Sequence, residues 1–275
     1  MRCIKLLRFD FYECILKKHK RYSIISILAL IPFFDLLLIS SRTGMSFTLG
    51  DYLMYVFGGA HKYIYDPQNP FEPPYFWLLF HLLILYFSLG FAPNDLSKIG
   101  QQILYRSRSR QAWWLSKCFW QVVSAIMYYV ALLTALYLIS LIAGINMSIS
   151  ITNGIFLYLP PGTDCVLAEN NNLFVELVIM PMLFSISYGL MQLTLSLFIK
   201  PAYAYIVSVC LCLMATHTQT FLLFGNYSMA IRSNKVIRDG MNTSQGIILM
   251  VLLSTACIVA GTIRFRKYDI FNKDD

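Results

Sequence analysis

Residues 118–151 read CFWQVVSAIMYYVALLTALYLISLIAGINMSISI, a run of 34 residues without one charged side chain. A helix needs about 20 mostly apolar residues to cross the hydrocarbon core of a bilayer, which is roughly 30 Å thick. This run is longer than the core of a soluble domain requires. It predicts a long or tilted membrane helix that ends near Gly144.

The rest of the chain has the same apolar character. Of its 275 residues 57% are hydrophobic and 13% are charged, whereas a soluble domain has about 25% charged residues. Five further stretches have the length of a membrane helix: residues 22–40, 75–92, 177–199, 202–224 and 240–263. With residues 118–144 they predict an all-α, polytopic membrane protein of six transmembrane helices, folded as a single domain over residues 1–275.

The basic residues are distributed unevenly over the connections between these segments. If the chain crosses the membrane six times, 17 Lys and Arg residues lie on the side of the two termini and five on the other side. Short cytoplasmic loops of membrane proteins are enriched in Lys and Arg. We therefore expect a multi-pass protein of the bacterial plasma membrane with both termini in the cytoplasm. The net charge of +8 follows from this topology, and no nucleic acid partner is expected.

Residues 1–21 are predicted to lie along the inner membrane surface. Within them Ile4, Leu7, Phe11 and Ile15 recur at helical spacing, with charged residues between them. This pattern is typical of an amphipathic interfacial helix that contacts membrane lipid. The alternative is a frayed basic tail that acts only as a topology signal. On the other side, the aromatic-rich segment 43–74 is expected to be a partly ordered connection at the level of the lipid headgroups.

Residues 93–117 form the most informative cytoplasmic connection, with the sequence PNDLSKIGQQILYRSRSRQAWWLSK. Leu96, Ile99 and Ile103 recur at steps of three and four, so they share one face of a short helix. A basic turn follows, and then a tryptophan pair that we expect at the membrane interface. The apolar face and the arginines suit a cytoplasmic protein partner. The alternative is that this face only dips into lipid, and the residues alone leave both interpretations open.

Two parts of the chain resemble the permease subunits of ABC-2 type (type V) ABC transporters. The residues with this likeness are 94–96 (NDL), 100–110 (GQQILYRSRSR), 113–117 (WWLSK) and 266–271 (RKYDIF). They look most like the small permeases of bacterial peptide or lantibiotic export and immunity systems. A six-helix topology with an interfacial helix at the N-terminus is similar to that family over the whole chain.

The resemblance implies a coupling helix between spans two and three that contacts an ABC ATPase on a separate chain. ATP and its Mg²⁺ would bind that ATPase, and no cofactor is expected on this chain, which has no G-x-x-x-x-G-K-[ST] motif. The permease would pair with a second copy or a paralogue. The ATPase-coupling residues would be Asp95, Leu96, Ile99, Ile103, Tyr105, Arg106, Arg108 and Arg110.

Four polar residues inside the predicted spans are candidates for a translocation path, because intramembrane polar residues are costly and often functional. They are Asp35, His81, Gln192 and His217. The alternative for each is a hydrogen bond between helices that stabilises the bundle. The sequence contains no evident cluster of metal ligands, pair of carboxylates or nucleophile with its base, so it predicts neither a metal site nor an enzyme.

Together these features predict the transmembrane subunit of an ATP-driven exporter that moves an amphipathic peptide or another hydrophobic substrate out of the cell. One alternative is a secondary transporter driven by an ion gradient, which would need charged residues or broken helices near the midplane. Another is a non-transporting membrane scaffold or immunity protein. A co-purifying ATPase would favour the first interpretation over both alternatives.

Overall fold

The computed structural model describes residues 20–63, 65, 71–91, 109–158, 173–237 and 240–266. Within these ranges the chain is helical, with two isolated β-bridges and no strand. The α-helices are α1 (Lys20–Thr43), α2 (Leu49–Phe57), α3 (Tyr75–Phe87), α4 (Arg110–Ile142), α5 (Met180–Leu195), α6 (Pro201–His217) and α7 (Thr243–Arg266). The all-α prediction is therefore confirmed for the part of the chain that is described.

Four helical segments are long and apolar enough to cross a membrane. They are Ser23–Thr43, Arg110–Ile142, Val175–Leu195 and Thr243–Arg266. The shortest of them have 21 residues, which corresponds to about 31 Å at 1.5 Å per residue. Helices α3 and α6 are apolar but have only 13 and 17 residues. The helices are compatible with a multi-pass membrane protein, while a total of six crossings stays a prediction.

Helix α4 shows how local sequence sets the helix ends. It begins at Arg110, so the last part of the predicted cytoplasmic connection is continuous with the predicted third span. The helix ends at Ile142, and Gly144 follows with a φ of 68°. A positive φ is readily adopted only by glycine, which explains why the helix stops there. The predicted end near Gly144 is confirmed.

Helix α5 is preceded by a wider turn that Pro181 explains. The residues Val175–Ile179 form a π-helix, and the N–H of Met180 donates to the carbonyl of Val175. Proline has no N–H to donate and disturbs the helical hydrogen bonds in the turn before it. A π turn is one way to absorb this disturbance. This π-helix contains Glu176.

Two contacts show which helix ends lie together. The guanidinium of Arg21 donates to the carbonyl of Phe87 at 2.5 Å, which joins the start of α1 to the end of α3. Likewise Arg264 lies 5.2 Å from the ring of Phe198, just after α5. We call this the basic end of the bundle. It contains Lys20, Arg21, Arg110, Lys117, Lys200, Arg264 and Arg266, and the other end is called the opposite end.

The opposite end is more ordered than the sequence predicts. Helix α2, in the segment expected to be a connection at headgroup level, is almost entirely buried. Its Asp51 carboxylate accepts hydrogen bonds from the N–H groups of Thr48 and Thr152, both at 2.8 Å. Burial raises the pKa of Asp51, and these hydrogen bonds oppose the rise. Residues 49–57 are the ordered part of this connection, because α2 packs its apolar side chains into the main core.

A second correction concerns the predicted span 202–224. Helix α6 ends at His217, and the chain then folds back in two short 3₁₀ helices, Phe224–Ser228 and Ala230–Arg232, whose residues are mostly buried. In the last part of the predicted span Phe221 and Leu222 are exposed and Leu223 is buried, so these apolar residues do not continue α6.

Candidate functional site at the basic end

Most of the predicted coupling residues lie outside the described ranges. These are Asp95, Leu96, Ile99, Ile103, Tyr105, Arg106 and Arg108, together with the predicted interfacial helix up to residue 19. Arg110 is described, and it is the first residue of α4. The hydroxyl of Ser109 accepts a hydrogen bond from the N–H of Ala112 at 3.3 Å, so a serine cap starts the helix directly after the predicted coupling segment.

Arg110 connects the start of α4 to the end of α7. Its Nη1 donates to the backbone carbonyl oxygen of Arg266 at 2.9 Å. One turn further along α4, the ring of Trp113 stacks on the ring of Phe265, with centroids 4.8 Å apart and an interplanar angle of 16°. The first turn of α4 and the last turn of α7 therefore meet at this point of the fold. We call these contacts the α4–α7 junction.

Trp114 makes the junction tight. Its indole N–H donates to the carbonyl of Ile258 at 3.2 Å. A Cβ atom on Gly261 would lie 2.1 Å from Cζ2 of Trp114, which is closer than any real contact. Both Trp113 and Trp114 are fully buried. The sequence places them at the membrane interface, but they pack between helices because α7 covers that face of α4.

Lys117 is also buried at the junction, with 1% of its surface exposed. Its Nζ lies 5.2 Å from the ring centroids of Phe91 and Trp113. Such cation–π contacts contribute about 1 to 2 kcal/mol where water is excluded. They attach the chain just after α3 to the first turns of α4. Phe91, just before the predicted coupling region 93–117, and Trp113, inside it, are thus both in contact with Lys117 at the basic end.

His81 lies at the centre of a polar network that joins three helices. It is fully buried, and its Nδ1 is 2.7 Å from the carbonyl of Trp77. Its Nε2 is 3.4 Å from the hydroxyl of Tyr129 on α4, which lies 2.8 Å from the Ser185 hydroxyl on α5. The same tyrosine donates to the carbonyl of Pro181 at 2.9 Å. Sequence reasoning found His81 but missed Tyr129 and Ser185, because single hydroxyls in apolar runs have no distinguishing pattern.

The other three predicted intramembrane residues lie in different places. The Gln192 amide donates to the carbonyl of Leu85 at 3.0 Å, one turn along α3 from His81. Asp35 is exposed on α1 and accepts a hydrogen bond from the hydroxyl of Tyr55 at 2.5 Å. His217 is exposed at the end of α6. His81 on α3 and Gln192 on α5 therefore both join α3 to neighbouring helices, whereas Asp35 and His217 lie apart from them.

Arg232 is a residue whose role sequence reasoning missed. It counts only as a basic residue of a connection in the sequence, yet 1% of its surface is exposed. Its guanidinium donates to the carbonyls of Ala60, His61, Ala215 and Thr216 at 2.6 to 3.0 Å, and to the amide oxygen of Asn226. It thereby satisfies carbonyls at the end of α6 and in the loop after α2. Burial lowers the pKa of Arg232 to about 10, so the side chain stays charged at neutral pH.

Glu176 also lies at the opposite end of the bundle, where it joins α7 to the turn before α5. One of its carboxylate oxygens lies 2.9 Å from Nζ of Lys235 and accepts a hydrogen bond from the hydroxyl of Thr243 at 3.0 Å. The start of α7 is therefore held to the π turn that precedes α5. Among the residues with described positions, no group of three His, Cys, Asp or Glu side chains is arranged to hold a metal ion.

These features define an all-helical protein with several apolar helices of the kind found in multi-pass membrane proteins. The chain belongs to the DUF2705 family, which is described as a protein of unknown function and whose family model matches residues 24–271. No curated protein and no solved structure matches the chain.

Proposed function

We propose that this chain is the permease subunit of an ATP-driven exporter, similar to the ABC-2 type, and that it works with an ATPase on a separate chain. Its cargo would be an amphipathic peptide or another hydrophobic molecule. In this proposal both termini and the basic end face the cytoplasm. The subunit would act with a second copy or a paralogue in the membrane.

The observation that supports this proposal best is the α4–α7 junction. The predicted coupling region, residues 93–117, is attached to the bundle at the basic end. Just before it, the ring of Phe91 lies 5.2 Å from Nζ of the buried Lys117. Within it, Trp113 stacks on Phe265 and Trp114 bonds to Ile258 of α7. A movement of the coupling region would reach the membrane helices through these contacts.

Helix α7 is the element through which the movement would travel. It is stacked on the start of α4 at Phe265 and bonded to Glu176 near its own first residue, Thr243. Its 24 residues span about 36 Å. A displacement of the coupling segment by the ATPase would shift α7 and with it the π turn at the opposite end. The partner chain would supply ATP hydrolysis, and this chain would supply the mechanical connection.

The test is co-purification of the ATPase with an affinity-tagged chain from its native host. Ile99→Asp would place an unpaired charge in the predicted contact, and burying such a charge costs several kcal/mol. We expect this variant to lose the ATPase. The matched control is Gln101→Asp, which puts the same charge on the opposite face of the predicted helix. Retention of both ATPase binding and transport by Ile99→Asp, at normal expression, would contradict the proposed coupling contact.

A secondary transporter is the second candidate, and the buried network of His81, Tyr129 and Ser185 is the observation that favours it. Buried ionisable groups in membranes often belong to proton pathways. Transport that persists without ATP and stops when the proton gradient is collapsed would favour this candidate. Transport that stops when ATP is depleted and the proton gradient is kept would favour the exporter.

A further inference from the structure

A cleft of about 360 Å³ opens at the opposite end of the bundle, between α2, the start of α3 and the chain near residue 158. Its lining includes five aromatic rings and one carboxylate, contributed by Tyr55, Tyr75, Phe76, Trp77, Tyr158 and Glu72. The rings of Tyr55 and Phe76 are in contact, with centroids 5.2 Å apart and an interplanar angle of 50°. The cleft is separate from the α4–α7 junction, and it shares Trp77 with the His81 network.

The charges around this cleft are negative. Glu72 is exposed, and the residues that line the cleft include no Lys, Arg or His. A second carboxylate, Asp35, lies behind Tyr55 and accepts a hydrogen bond from its hydroxyl at 2.5 Å. This bond places negative charge beside the ring and increases the electron density of the phenol. Of the basic residues at this end, Arg232 and Lys235 are engaged with carbonyls and with Glu176, while Lys62 is exposed in the loop after α2.

The two connections nearest the cleft in the sequence are also negatively charged. The connections at residues 43–74 and 144–176 together contain six Asp and Glu residues and one basic residue, Lys62. In the proposed topology both connections lie outside the cell. A cation that approaches from that side would be attracted to this end of the bundle.

We propose that the cleft binds the ammonium or guanidinium group of an amphipathic peptide. Aromatic faces attract organic cations, and a nearby carboxylate strengthens the attraction. Asp35 is eight residues from the end of α1, which is about 12 Å along the helix. This depth favours a molecule that inserts into the cleft over a lipid headgroup that stays at the surface. The role of this peptide as transported cargo rests on the proposed exporter function, whereas its binding does not.

The probe is a peptide of Leu and Lys residues whose two termini are blocked. Its binding to the purified chain is measured by microscale thermophoresis in a neutral maltoside detergent, without any ATPase. We expect acetylation of the lysines, Glu72→Gln and Tyr55→Leu each to weaken binding about fivefold. Glu72 is exposed, so its variant should keep the fold even if Tyr55→Leu does not. The control Glu169→Gln removes one negative charge from the same predicted side and should change the affinity less than twofold.

Three results would overturn the proposal. One is equal binding of the lysine and the acetylated peptide. Another is tighter binding of the same peptide with Glu in place of Lys, which would mean that the free N–H groups at the start of α3 attract an anion instead. The third is failure of the lysine peptide to bind while native mass spectrometry shows phosphatidylethanolamine held by the parent and lost from Glu72→Gln. Because no ATPase is present, each of these results is independent of the exporter proposal.

Discussion

The guanidinium of Arg110 donates a hydrogen bond to the backbone carbonyl oxygen of Arg266 at 2.9 Å, although the two residues are 156 positions apart in the chain. Because the acceptor is a backbone atom, no substitution of the Arg266 side chain removes it. The bond and the stacked rings of Trp113 and Phe265 join the start of one long helix to the end of another. The predictions below follow from this junction, from Arg232 and from the charge distribution.

The junction should be sensitive to the size of residue 261. Gly261→Ala places a methyl group where Trp114 already lies, and overpacking of this kind costs about 1 to 3 kcal/mol. We expect a lower midpoint of thermal unfolding in detergent and, in a purified complex with the ATPase, lower substrate-stimulated ATP turnover.

The matched control is Ala260→Leu, one residue earlier on α7 with an exposed side chain, which should leave both quantities unchanged. In a Trp114→Leu background, Gly261→Ala should cost less stability than it does in the parent, because the indole that it would meet is gone. A Gly261→Ala protein as stable and active as the parent would show that the junction tolerates separation of the two helices.

The three arginines at the predicted ATPase contact should act together. Replacing Arg106, Arg108 and Arg110 by Ala is expected to lower substrate-stimulated ATP turnover of the complex while membrane insertion stays normal. All three are changed because an exposed ion pair contributes only about 0 to 1 kcal/mol. The control variant has Lys17, Lys18 and Lys20 replaced by Ala, so it loses the same amount of positive charge on the same predicted side of the membrane. An equal loss of ATP turnover in both triple variants would mean that the arginines serve only topology or contacts with lipid headgroups.

Arg232 should be essential for the stability of the opposite end. Arg232→Gln leaves several buried carbonyl oxygens without a donor, and each hydrogen bond to a charged group contributes about 1.5 to 3 kcal/mol. We expect a loss of at least about 3 kcal/mol, measured as the unfolding midpoint in detergent or as a fall in the amount of folded protein. Arg232→Lys should rescue it only in part, because an ammonium cannot reproduce the planar donor set. The exposed Arg42→Gln is the control, and an equal effect there would argue against a special role for Arg232.

The imidazole of His61 should make stability depend on pH. Burial, with a smaller contribution from the Arg232 charge, lowers the pKa of His61 to about 4 from its usual value of 6.5. The unfolded chain then binds the proton more tightly than the folded chain. The stability contributed by neutral His61 is therefore fully present above pH 6.5 and is lost as the pH falls from 6.5 to about 4.

The check is the unfolding midpoint of the parent and of His61→Gln at pH 7.5 and at pH 4.5. The midpoint of the parent should fall further between these two conditions than that of the variant. His217→Gln removes an exposed imidazole and serves as the control. Identical falls in the parent and in His61→Gln would show that His61 does not contribute to the acid sensitivity.

The charge asymmetry predicts the orientation of the chain in the membrane. In a background without the seven native cysteines, Leu157→Cys should react with an impermeant thiol reagent added to intact cells, because this side chain is 72% exposed at the opposite end. A cysteine at Ser107 should react only after the membrane is opened. The reverse pattern would contradict the placement of the basic end in the cytoplasm.

Several features of this protein are determined by its sequence alone. The uncharged run at residues 118–151 is enough to predict a long helix, and Gly144 is enough to predict where it ends, because apolar length and the freedom of glycine are local properties. The same holds for the separation of basic residues from apolar segments. No single residue in these patterns needs a distant partner to have its effect.

The tertiary structure alone decides which distant groups meet. The sequence predicts a partly ordered connection in the segment where the structure forms the buried helix α2. It also predicts a span that reaches residue 224, whereas α6 ends at His217. It treats Arg232 as one more surface charge, although the partners of that guanidinium are carbonyls as far as 172 residues away. Such carbonyls have no side-chain identity to recognise, since every residue has one. Whether a charge is solvated or buried therefore depends on which helix ends the fold brings to it.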